Sequence, residues 1–453
     1  MTTTDRPGDL GDVGGVVPAV CARPVRLAGH VDEVDVASGE MRRVLDSAGL
    51  PGGVVHAQCR NRRETACPAC SALYKRDART LVLGGLVGGR NVPASVGGHP
   101  ALFTTLTAPS FGPVHSRRLR PGGGPARACR PRRGLCPHGR PAGCHARHGA
   151  EDVRLGEPIC PDCFDYPGAV VWNALASRLW AVTRRAIVRN IAGAAGVSVS
   201  RLRGLVRVAS VRVVEMQARG LVHIHAVIRL DGPGGPGDPP PGWADGDLLV
   251  GAVRAAVAES AVTCPPLTDG RQQLGGQRER LGGVVRWGAQ LDVAPVRRDA
   301  VEKVGNYLAK YLTKSVDGGG RLDRPVRSVK QLYRLGLPPH PHRLALTAWR
   351  IGHDPVAGPA IDRAAGRIVT PATRWGVARW AHTYGYGGHW VSKTQTYSTT
   401  FTTLRNERAT WARTARLGEN PADSWGRPAG DERTVTVADW RYVGRGHDPD
   451  GTR

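Results

Sequence analysis

The stretch Glu215-Met-Gln-Ala-Arg-Gly-Leu-Val-His-Ile-His225 joins two apolar runs, Leu205–Glu215 and Leu221–Leu230. Both runs are rich in β-branched residues, which favours strands, and the polar residues between them are typical of a hairpin turn. Residues two apart on a strand point to the same face. His223 and His225 can therefore reach one ion, and the turn would bring Glu215 back beside them.

Two imidazoles and one carboxylate leave open positions that suit Mg²⁺ or Mn²⁺ bound to phosphate oxygens. Alone, the His-x-His pair is weak evidence, because a chain with 15 histidines contains such pairs by chance. Glu215 also has a second interpretation, since an ion pair with Arg212 or Arg219 near the turn would explain it. The metal-site hypothesis therefore depends on what surrounds the hairpin.

A strand is predicted at Ala101–Thr107, which is rich in β-branched and aromatic residues, and another at Trp287–Val293. Apolar residues near a 3.6-residue period predict helices at Val170–Arg189, Leu248–Val262 and Ala300–Ser315. From Ala101 the order is β, α, β, β, α, β, α. This order predicts an α+β fold with a ferredoxin-like antiparallel sheet and one extra helix.

The last of these helices carries Tyr307-Leu-Ala-Lys310-Tyr311-Leu-Thr-Lys314. Tyr307 and Tyr311 are four residues apart and therefore share a helix face. A lysine beside a tyrosine hydroxyl can favour the phenolate or stabilise charge on a phosphate under attack. Lys310 and Lys314 are two of only six lysines in the chain. The alternative is an amphipathic helix with its tyrosines packed on the sheet and its lysines in solvent.

The ten cysteines have spacings that indicate metal binding. Cys67-x-x-Cys70 and Cys160-x-x-Cys163 have the spacing of zinc knuckles, and the first leads into a predicted helix at Ser71–Leu86. Four further cysteines could complete two four-ligand structural zinc sites, with three histidines as competing ligands: Cys59, Cys129, Cys136 and Cys144; His138, His145 and His148. Cys21 and Cys264 stand alone in the sequence and are expected to be plain thiols.

Charge and hydropathy restrict the class of protein. The chain of 453 residues has 63 Lys and Arg against 38 Asp and Glu, a net charge of +25, which indicates a polyanionic partner such as nucleic acid. It has no run of the roughly 18 apolar residues needed to cross a bilayer. Its beginning also lacks the pattern of a signal peptide. We therefore expect a cytoplasmic protein without a membrane partner.

The sequence divides into three predicted segments. Residues 1–95 contain the first cysteine knuckle, and we expect 1–50 to be largely irregular. Residues 96–335 contain the predicted sheet, with a Cys-rich insertion at about 116–166. Residues 336–453 are basic and loop-rich, with interleaved arginines and tryptophans that suit a DNA-binding region. Helices are predicted in this segment at Arg374–Trp380 and Thr402–Arg416.

Taken in order, these motifs resemble a known family. Three of them resemble the ordered motifs of HUH endonucleases: Phe103-Thr-Thr-Leu-Thr107-Ala-Pro, Glu215 to His225, and Tyr307 to Lys314. Four more resemble the RepSA-type replication initiators of actinobacterial plasmids and integrative conjugative elements: Cys59 to Cys70, Thr105 to His115, Cys160-Pro-Asp-Cys-Phe-Asp-Tyr166 and Gly387-Gly-His-Trp-Val-Ser-Lys393. The resemblance covers roughly Cys59 to Arg416.

The resemblance implies an HUH-type fold and rolling-circle initiation. His223, His225 and Glu215 would hold the Mg²⁺ or Mn²⁺ that polarises the scissile phosphate. Tyr307 or Tyr311 would attack it, leaving a 5′-phosphotyrosine and a free 3′-hydroxyl, and the strand would later be rejoined without ATP. Both tyrosines fit the same local pattern, so the order in which they act stays open.

The implied partners are plasmid origin DNA, single-stranded at the nick, with a host helicase and DNA polymerase. Arg219 and Lys393 would contact the DNA. A relaxase or transposase with the same HUH chemistry would need the same residues and would differ only in its DNA substrate. A non-enzymatic, zinc-braced DNA-binding regulator is the contrasting hypothesis, in which His223 and Tyr307 are only structural.

Overall fold

The computed structural model describes residues 21–120, 122, 124–264, 284–312, 321–353, 360–362, 367–369, 376–416 and 434–447. The strands are β1 Val25–Asp35, β2 Met41–Asp46, β3 Val55–Ala57, β4 Ala101–Thr107, β5 Arg207–Met216, β6 Val222–Asp231, β7 Ala261–Thr263, β8 Val284–Arg286, β9 Leu291–Pro295, β10 Ala360–Asp362, β11 Arg367–Val369, β12 Val391–Lys393 and β13 Thr434–Arg445. The α-helices are α1 Pro68–Val87, α2 Tyr166–Ala194, α3 Val199–Leu202, α4 Gly246–Glu259, α5 Val301–Tyr311, α6 Val329–Arg334, α7 Pro339–Gly352 and α8 Phe401–Arg416.

Packing divides the chain into two units, Gly85–Tyr397 and Met1–Gly84 with Ser398–Arg453. This grouping differs from the three consecutive segments predicted above, because strands near both ends of the chain pair within one unit. The three-segment division stays a prediction. No described helix is long and apolar enough to span a membrane.

The unit Gly85–Tyr397 contains a five-stranded sheet in the order β12-β5-β6-β4-β9, with every neighbouring pair antiparallel. Its three inner strands agree with the predicted strands to within two residues, so the prediction of an antiparallel sheet of the α+β class is confirmed. Strand β9 begins four residues later than predicted, because Trp287 packs in the core and donates from Nε1 to Thr183 Oγ1 at 2.8 Å. The narrower HUH-type assignment stays a prediction.

The helix face of this sheet is the main hydrophobic core. Alternate residues of β6, namely Ile224, Ala226 and Ile228, pack there with α2 and α4. Helix α2 begins after Asp165, whose side chain accepts from Gly168 N at 2.9 Å and so caps the first turn. Because side chains alternate along a strand, His223 and His225 lie on the opposite face of β6.

In the other unit, β1 pairs with β13, β2 and β3. The expectation that residues up to 50 are irregular is therefore wrong for β1 and β2. Sequence periodicity missed them because only Leu27 and Asp32 of β1 are buried, and because the partner β13 lies about 400 residues away. Of the predicted helix at Arg374–Trp380, residues 374 and 375 lie outside the described residues, and the described part contains a 3₁₀ helix, Ala378–Thr383, in place of an α-helix.

Candidate active site and metal clusters

The β5–β6 hairpin places the predicted carboxylate beside the predicted histidines. Glu215 is the register partner of His223, and Oε2 of Glu215 lies 3.7 Å from Nε2 of His225. The turn closes through Gln217 N donating to Leu221 O at 2.9 Å. Gly220 has φ +74°, a backbone conformation that residues other than glycine rarely adopt. The local sequence thus determines which residues meet across the hairpin.

Two threonines of β4 lie on the other side of the histidines. Thr107 is the register partner of His223 and Thr105 of His225. Their hydroxyls are 3.3 Å and 3.2 Å from the Nδ1 atoms of His223 and His225, respectively. A hydrogen bond at Nδ1 fixes the imidazole and leaves Nε2 for a ligand. The sequence pointed to this strand, but not to these two hydroxyl contacts.

The donor set fits a divalent ion. Nε2 of His225 is buried and has no hydrogen-bond partner. Burial and the neighbouring His225 together lower the pKa of His223 to about 4, so His223 is neutral and can bind metal near pH 7. Among the described residues, only three Cys/His clusters have all ligand atoms within 4.8 Å. This carboxylate–imidazole set would therefore have to draw closer around an ion.

Helix α5 places both predicted tyrosines against His225. The ring centroids of Tyr307 and Tyr311 lie 5.2 Å and 5.5 Å from that of His225, and 4.8 Å from each other. The ring of Phe103 lies 5.8 Å from His225 and 5.9 Å from Tyr307, which supports the same cluster. The predicted shared helix face is therefore present, and it faces the histidines.

The two tyrosines have different environments. Tyr307 is 42% exposed, whereas Tyr311 is partly buried. Burial raises the pKa of Tyr311 above its ordinary value, and a hydrogen bond with Tyr307 raises it further. Lys310 is exposed in the last turn of α5, and Lys314 lies outside the described residues. The chain thus presents one accessible phenol, Tyr307, and one that is harder to ionise, Tyr311.

Arg219 has a structural role that the sequence did not suggest. Its guanidinium donates to Gln217 Oε1 at 2.8 Å, and to the carbonyl oxygens of Pro109 and Ala108, both at 3.1 Å. Burial lowers its pKa to about 10. Arg219 therefore ties the hairpin turn to the chain that leaves β4. Its DNA contact stays a prediction.

His340 supports the same turn from α7. Its Nε2 donates to the carbonyl oxygen of Arg219 at 3.1 Å, so its Nδ1 is the acceptor from the Tyr166 hydroxyl, also at 3.1 Å. Burial lowers the pKa of His340 to about 4, which keeps the ring neutral. Sequence reasoning missed His340, because it lies in residues 336–453, which were predicted to be loop-rich.

Lys393 lies at the end of the edge strand β12, opposite Val211 of β5. Its Nζ donates to the carbonyl oxygens of Thr394 at 3.2 Å and Gln395 at 3.1 Å. Burial lowers its pKa from the ordinary value. Its predicted contact with DNA stays untested.

The first metal cluster consists of Cys21, Cys59, Cys67 and Cys70. Sγ of Cys70 is 3.7 Å from the Sγ atoms of both Cys21 and Cys59, and Sγ of Cys67 is 4.0 Å from that of Cys21. A tetrahedral site with Zn–S bonds of about 2.3 Å has S–S edges of about 3.8 Å. The expectation that Cys21 stands alone is therefore wrong, because the fold brings it to the knuckle from 46 residues away.

The second cluster consists of His115, Cys129, Cys144 and His148. Nδ1 of His115 lies 3.2 Å from Nε2 of His148, which lies 3.6 Å from Sγ of Cys144. The other ring nitrogen of His148 contacts Asp152 Oδ2 at 2.7 Å, the outer carboxylate that often orients a zinc-binding histidine.

The third cluster consists of Cys136, His138, Cys160 and Cys163. Nδ1 of His138 lies 3.2 Å from Sγ of Cys163 and 3.9 Å from Sγ of Cys160. The eight predicted cysteine ligands thus fall into three groups rather than two, and His145 joins none of them. All ten cysteines are free thiols, and Cys264 is buried outside the clusters. These clusters can hold a metal such as zinc.

Comparison with known proteins assigns a family. The family model described as "RepSA: Replication initiator protein, pSAM2" matches residues 17–453. The chain therefore belongs to the RepSA family of replication initiator proteins. It is 37% identical over 439 residues to a "Replication initiator protein" from Streptomyces ambofaciens, covering 94% of this chain and 84% of the relative. No solved structure matches the chain. Membership assigns the protein to plasmid replication and implies that it binds origin DNA.

Proposed function

We propose that the protein starts rolling-circle replication by nicking one strand of the plasmid origin and later rejoining it. The observation that carries this proposal is the position of Tyr307 and Tyr311, whose rings both lie within 5.5 Å of the His225 ring centroid. Two phenols beside two imidazoles and a carboxylate combine a nucleophile with a site for a divalent ion.

The metal site would consist of His223, His225 and Glu215. The buried, unpartnered Nε2 of His225 and the neutral imidazole of His223 suit a metal ligand. A bound Mg²⁺ or Mn²⁺ would supply positive charge against the scissile phosphate. Thr105 and Thr107 contact the Nδ1 atoms of the two imidazoles, which leaves both Nε2 atoms for the ion.

The chemistry of the tyrosines is a transesterification. The phenolic oxygen of a tyrosine gives up its proton and bonds to phosphorus, the bond from phosphorus to O3′ breaks, and the 3′-oxygen takes up a proton. The products are a 5′-phosphotyrosine and a 3′-hydroxyl. Because one phosphate ester replaces another, the reverse step rejoins the strand without ATP. Tyr307 acts first, since it is the more exposed phenol, and Tyr311 acts in the later exchange.

The substrate is origin DNA that is single-stranded at the nick, because a nucleophile on a helix can reach a phosphate in line more readily on a flexible strand than on a duplex. A host helicase would unwind the duplex, and a host DNA polymerase would extend the 3′-hydroxyl. We place this reaction in the cytoplasm. A relaxase or transposase would use the same residues, and family membership favours replication over either.

The experiment that tests the proposal incubates the protein with supercoiled plasmid that carries the origin, in the presence of Mg²⁺ or Mn²⁺. Nicked circles with SDS-resistant protein are expected. Replacing Tyr307→Phe and Tyr311→Phe together, or His223→Ala, should abolish them. Tyr333→Phe is the matched control, because Tyr333 is an exposed tyrosine of α6 that contacts His342. Binding without scission by the native protein would instead support a zinc-braced regulator.

A further inference from the structure

The insertion between β4 and α2, residues 116–150, concentrates one sign of charge. It contains nine arginines and no aspartate or glutamate. All nine side chains are exposed: Arg117, Arg118, Arg120, Arg127, Arg130, Arg132, Arg133, Arg140 and Arg147. Residues 121 and 123 lie outside the described residues. A cluster of exposed arginines without acidic residues is typical of a surface that binds a polyanion.

Most of these charges are not neutralised within the protein. Arg140 lies 3.5 Å from Asp162, and Arg130 donates from Nε to Val114 O. In the part of the chain that the structure describes, the other seven make no ion pair. Arginines that served only to shape the protein would be expected to have partners. Unpaired guanidinium groups instead remain available for phosphate, which they bind in a bidentate manner.

The described residues of the insertion form no hydrophobic core that could hold the arginines in place. Its described residues contain only isolated β-bridges, such as that between Arg130 and Cys144. The buried residues in it are Cys129, Gly143 and His148, while Leu119 and Leu135 are 60% and 70% exposed. Two of the three buried residues belong to the second cluster. The shape of the insertion therefore depends on its metal clusters, as in other small domains without a core.

One flank of the insertion is tied to the hairpin of the candidate active site, and the two flanks are tied to each other. At one end, Arg219 holds the carbonyl oxygens of Ala108 and Pro109, which directly follow Thr107. At the other end, Asp165 N donates to Phe111 O at 2.7 Å just before α2 begins. The basic surface is therefore anchored beside the strand that contacts His223.

We propose that residues 116–150 form a metal-braced surface that grips the phosphate backbone of DNA next to the cleavage site. The second and third clusters hold the insertion, and the unpaired arginines contact phosphates without reading bases. The inference rests on the proposed function only in placing this surface next to a cleavage site. Because it concerns binding, it can be tested without strand scission.

The test uses full-length protein with Tyr307→Phe and Tyr311→Phe, so that no DNA is cleaved. Anisotropy of a short fluorescent duplex, and of one of its single strands, is measured across a salt series. Adding Arg132→Gln, Arg133→Gln and Arg147→Gln should weaken binding at least about tenfold and reduce the slope of log affinity against log salt by about two to three. The DNA, duplex or single strand, for which the triple variant loses more affinity is the form that this surface binds.

The matched control removes the same charge elsewhere in the unit, with Arg201→Gln, Arg203→Gln and Arg254→Gln, all exposed arginines outside the insertion. It should leave affinity and slope near those of the parent. Equal losses in both triple variants would overturn the proposal, because binding would then follow net charge alone. If the native protein does not nick origin DNA, but the arginine variants still change the salt slope as expected, the result would count against the proposed function and not against this surface.

A second arm tests the bracing. Cys129→Ser should lose one metal equivalent by elemental analysis and reduce the salt slope as the arginine variant does. Cys264→Ser should keep its metal content and its salt slope, since Cys264 lies outside the clusters. A Cys129→Ser protein that lacks the metal but binds DNA with the parent slope would overturn the bracing role. The arginine variants keep the surface itself testable even where Cys129→Ser misfolds.

Discussion

The hydroxyl of Thr107 lies 3.3 Å from Nδ1 of His223, its direct partner in the sheet register. The same relationship links Thr105 to His225 at 3.2 Å. Each threonine can accept the Nδ1–H of a neutral imidazole, which sets the tautomer whose Nε2 lone pair binds metal. The geometry makes these threonines positioning residues for the proposed ion.

The first prediction concerns these two hydroxyls. Thr105→Val with Thr107→Val keeps the shape of β4 but removes both hydrogen bonds, so the metal concentration for half-maximal nicking should rise about 10- to 100-fold. A titration of nicking against Mn²⁺ measures this. Serine at both positions should restore the native curve.

Thr104→Val is the matched control on the same strand. Its Oγ1 is buried without a hydrogen-bond partner, so losing it should not reduce stability or metal dependence. If the Thr105→Val and Thr107→Val protein showed the native metal dependence, the positioning role would be wrong.

A second prediction separates the two tyrosines. Tyr307→Phe should prevent the first covalent adduct, because the remaining phenol is partly buried and burial raises its pKa. Tyr311→Phe should still nick but should accumulate the protein–DNA adduct, because the second exchange fails. Adduct on denaturing gels, followed over time for each single variant, distinguishes these outcomes. Identical time courses would show that the tyrosines are interchangeable.

A third prediction concerns pH. Burial lowers the pKa of His340 to about 4, below its unfolded value near 6.5, so the unfolded chain binds the extra proton first. Stability contributed by this neutral histidine is present above pH 6.5 and is lost as pH falls towards 4. The loss between pH 7 and pH 5 should be about 2 kcal/mol.

Urea denaturation at several pH values measures this dependence. His340→Gln retains hydrogen-bonding groups but cannot titrate, and it should lose about 2 kcal/mol less than the native chain over that range. Exposed His389 provides the control, since His389→Gln should leave the pH dependence of stability unchanged. A native pH profile in His340→Gln would contradict the assignment.

The sequence predicts those features of the fold and of the candidate site that are formed by residues close together in the chain. The β5–β6 hairpin is determined by adjacent strands and a short turn, so the proximity of Glu215 to His223 followed directly from the pattern. The shared face of Tyr307 and Tyr311 followed from helical spacing alone. That this face lies against His225 required the order of the elements, which the sequence also indicated.

Features that join distant segments could not be predicted in this way. Cys21 joins the first cluster from 38 residues away, and β13 pairs with a strand near the other end of the chain. The orientations of Thr105 and Thr107 depend on the sheet register, which periodicity does not supply. In each case tertiary packing or metal-ligand geometry determines the position of the residue, and the local conformational preference of the chain does not.

The last prediction concerns the fully buried ion pair in β6. Arg229 donates to Asp231 through Nε at 2.7 Å and Nη2 at 2.8 Å, both side chains are fully buried, and His99 Nδ1 lies 2.8 Å from Asp231 Oδ1. Asp231→Ala would leave the guanidinium charge unpaired in the interior. The expected loss is about 3–5 kcal/mol in the free energy of unfolding.

The exposed pair Arg297–Asp299 is the matched control, with side chains 79% and 70% exposed. Asp299→Ala should cost less than about 1 kcal/mol, because water and salt screen that pair. Replacing both buried partners, Arg229→Met with Asp231→Leu, should recover part of the Asp231→Ala loss, because no buried charge remains. Urea denaturation of the three variants checks this order. Equal losses for Asp231→Ala and Asp299→Ala would mean that water reaches the Arg229 guanidinium, contrary to the burial observed here.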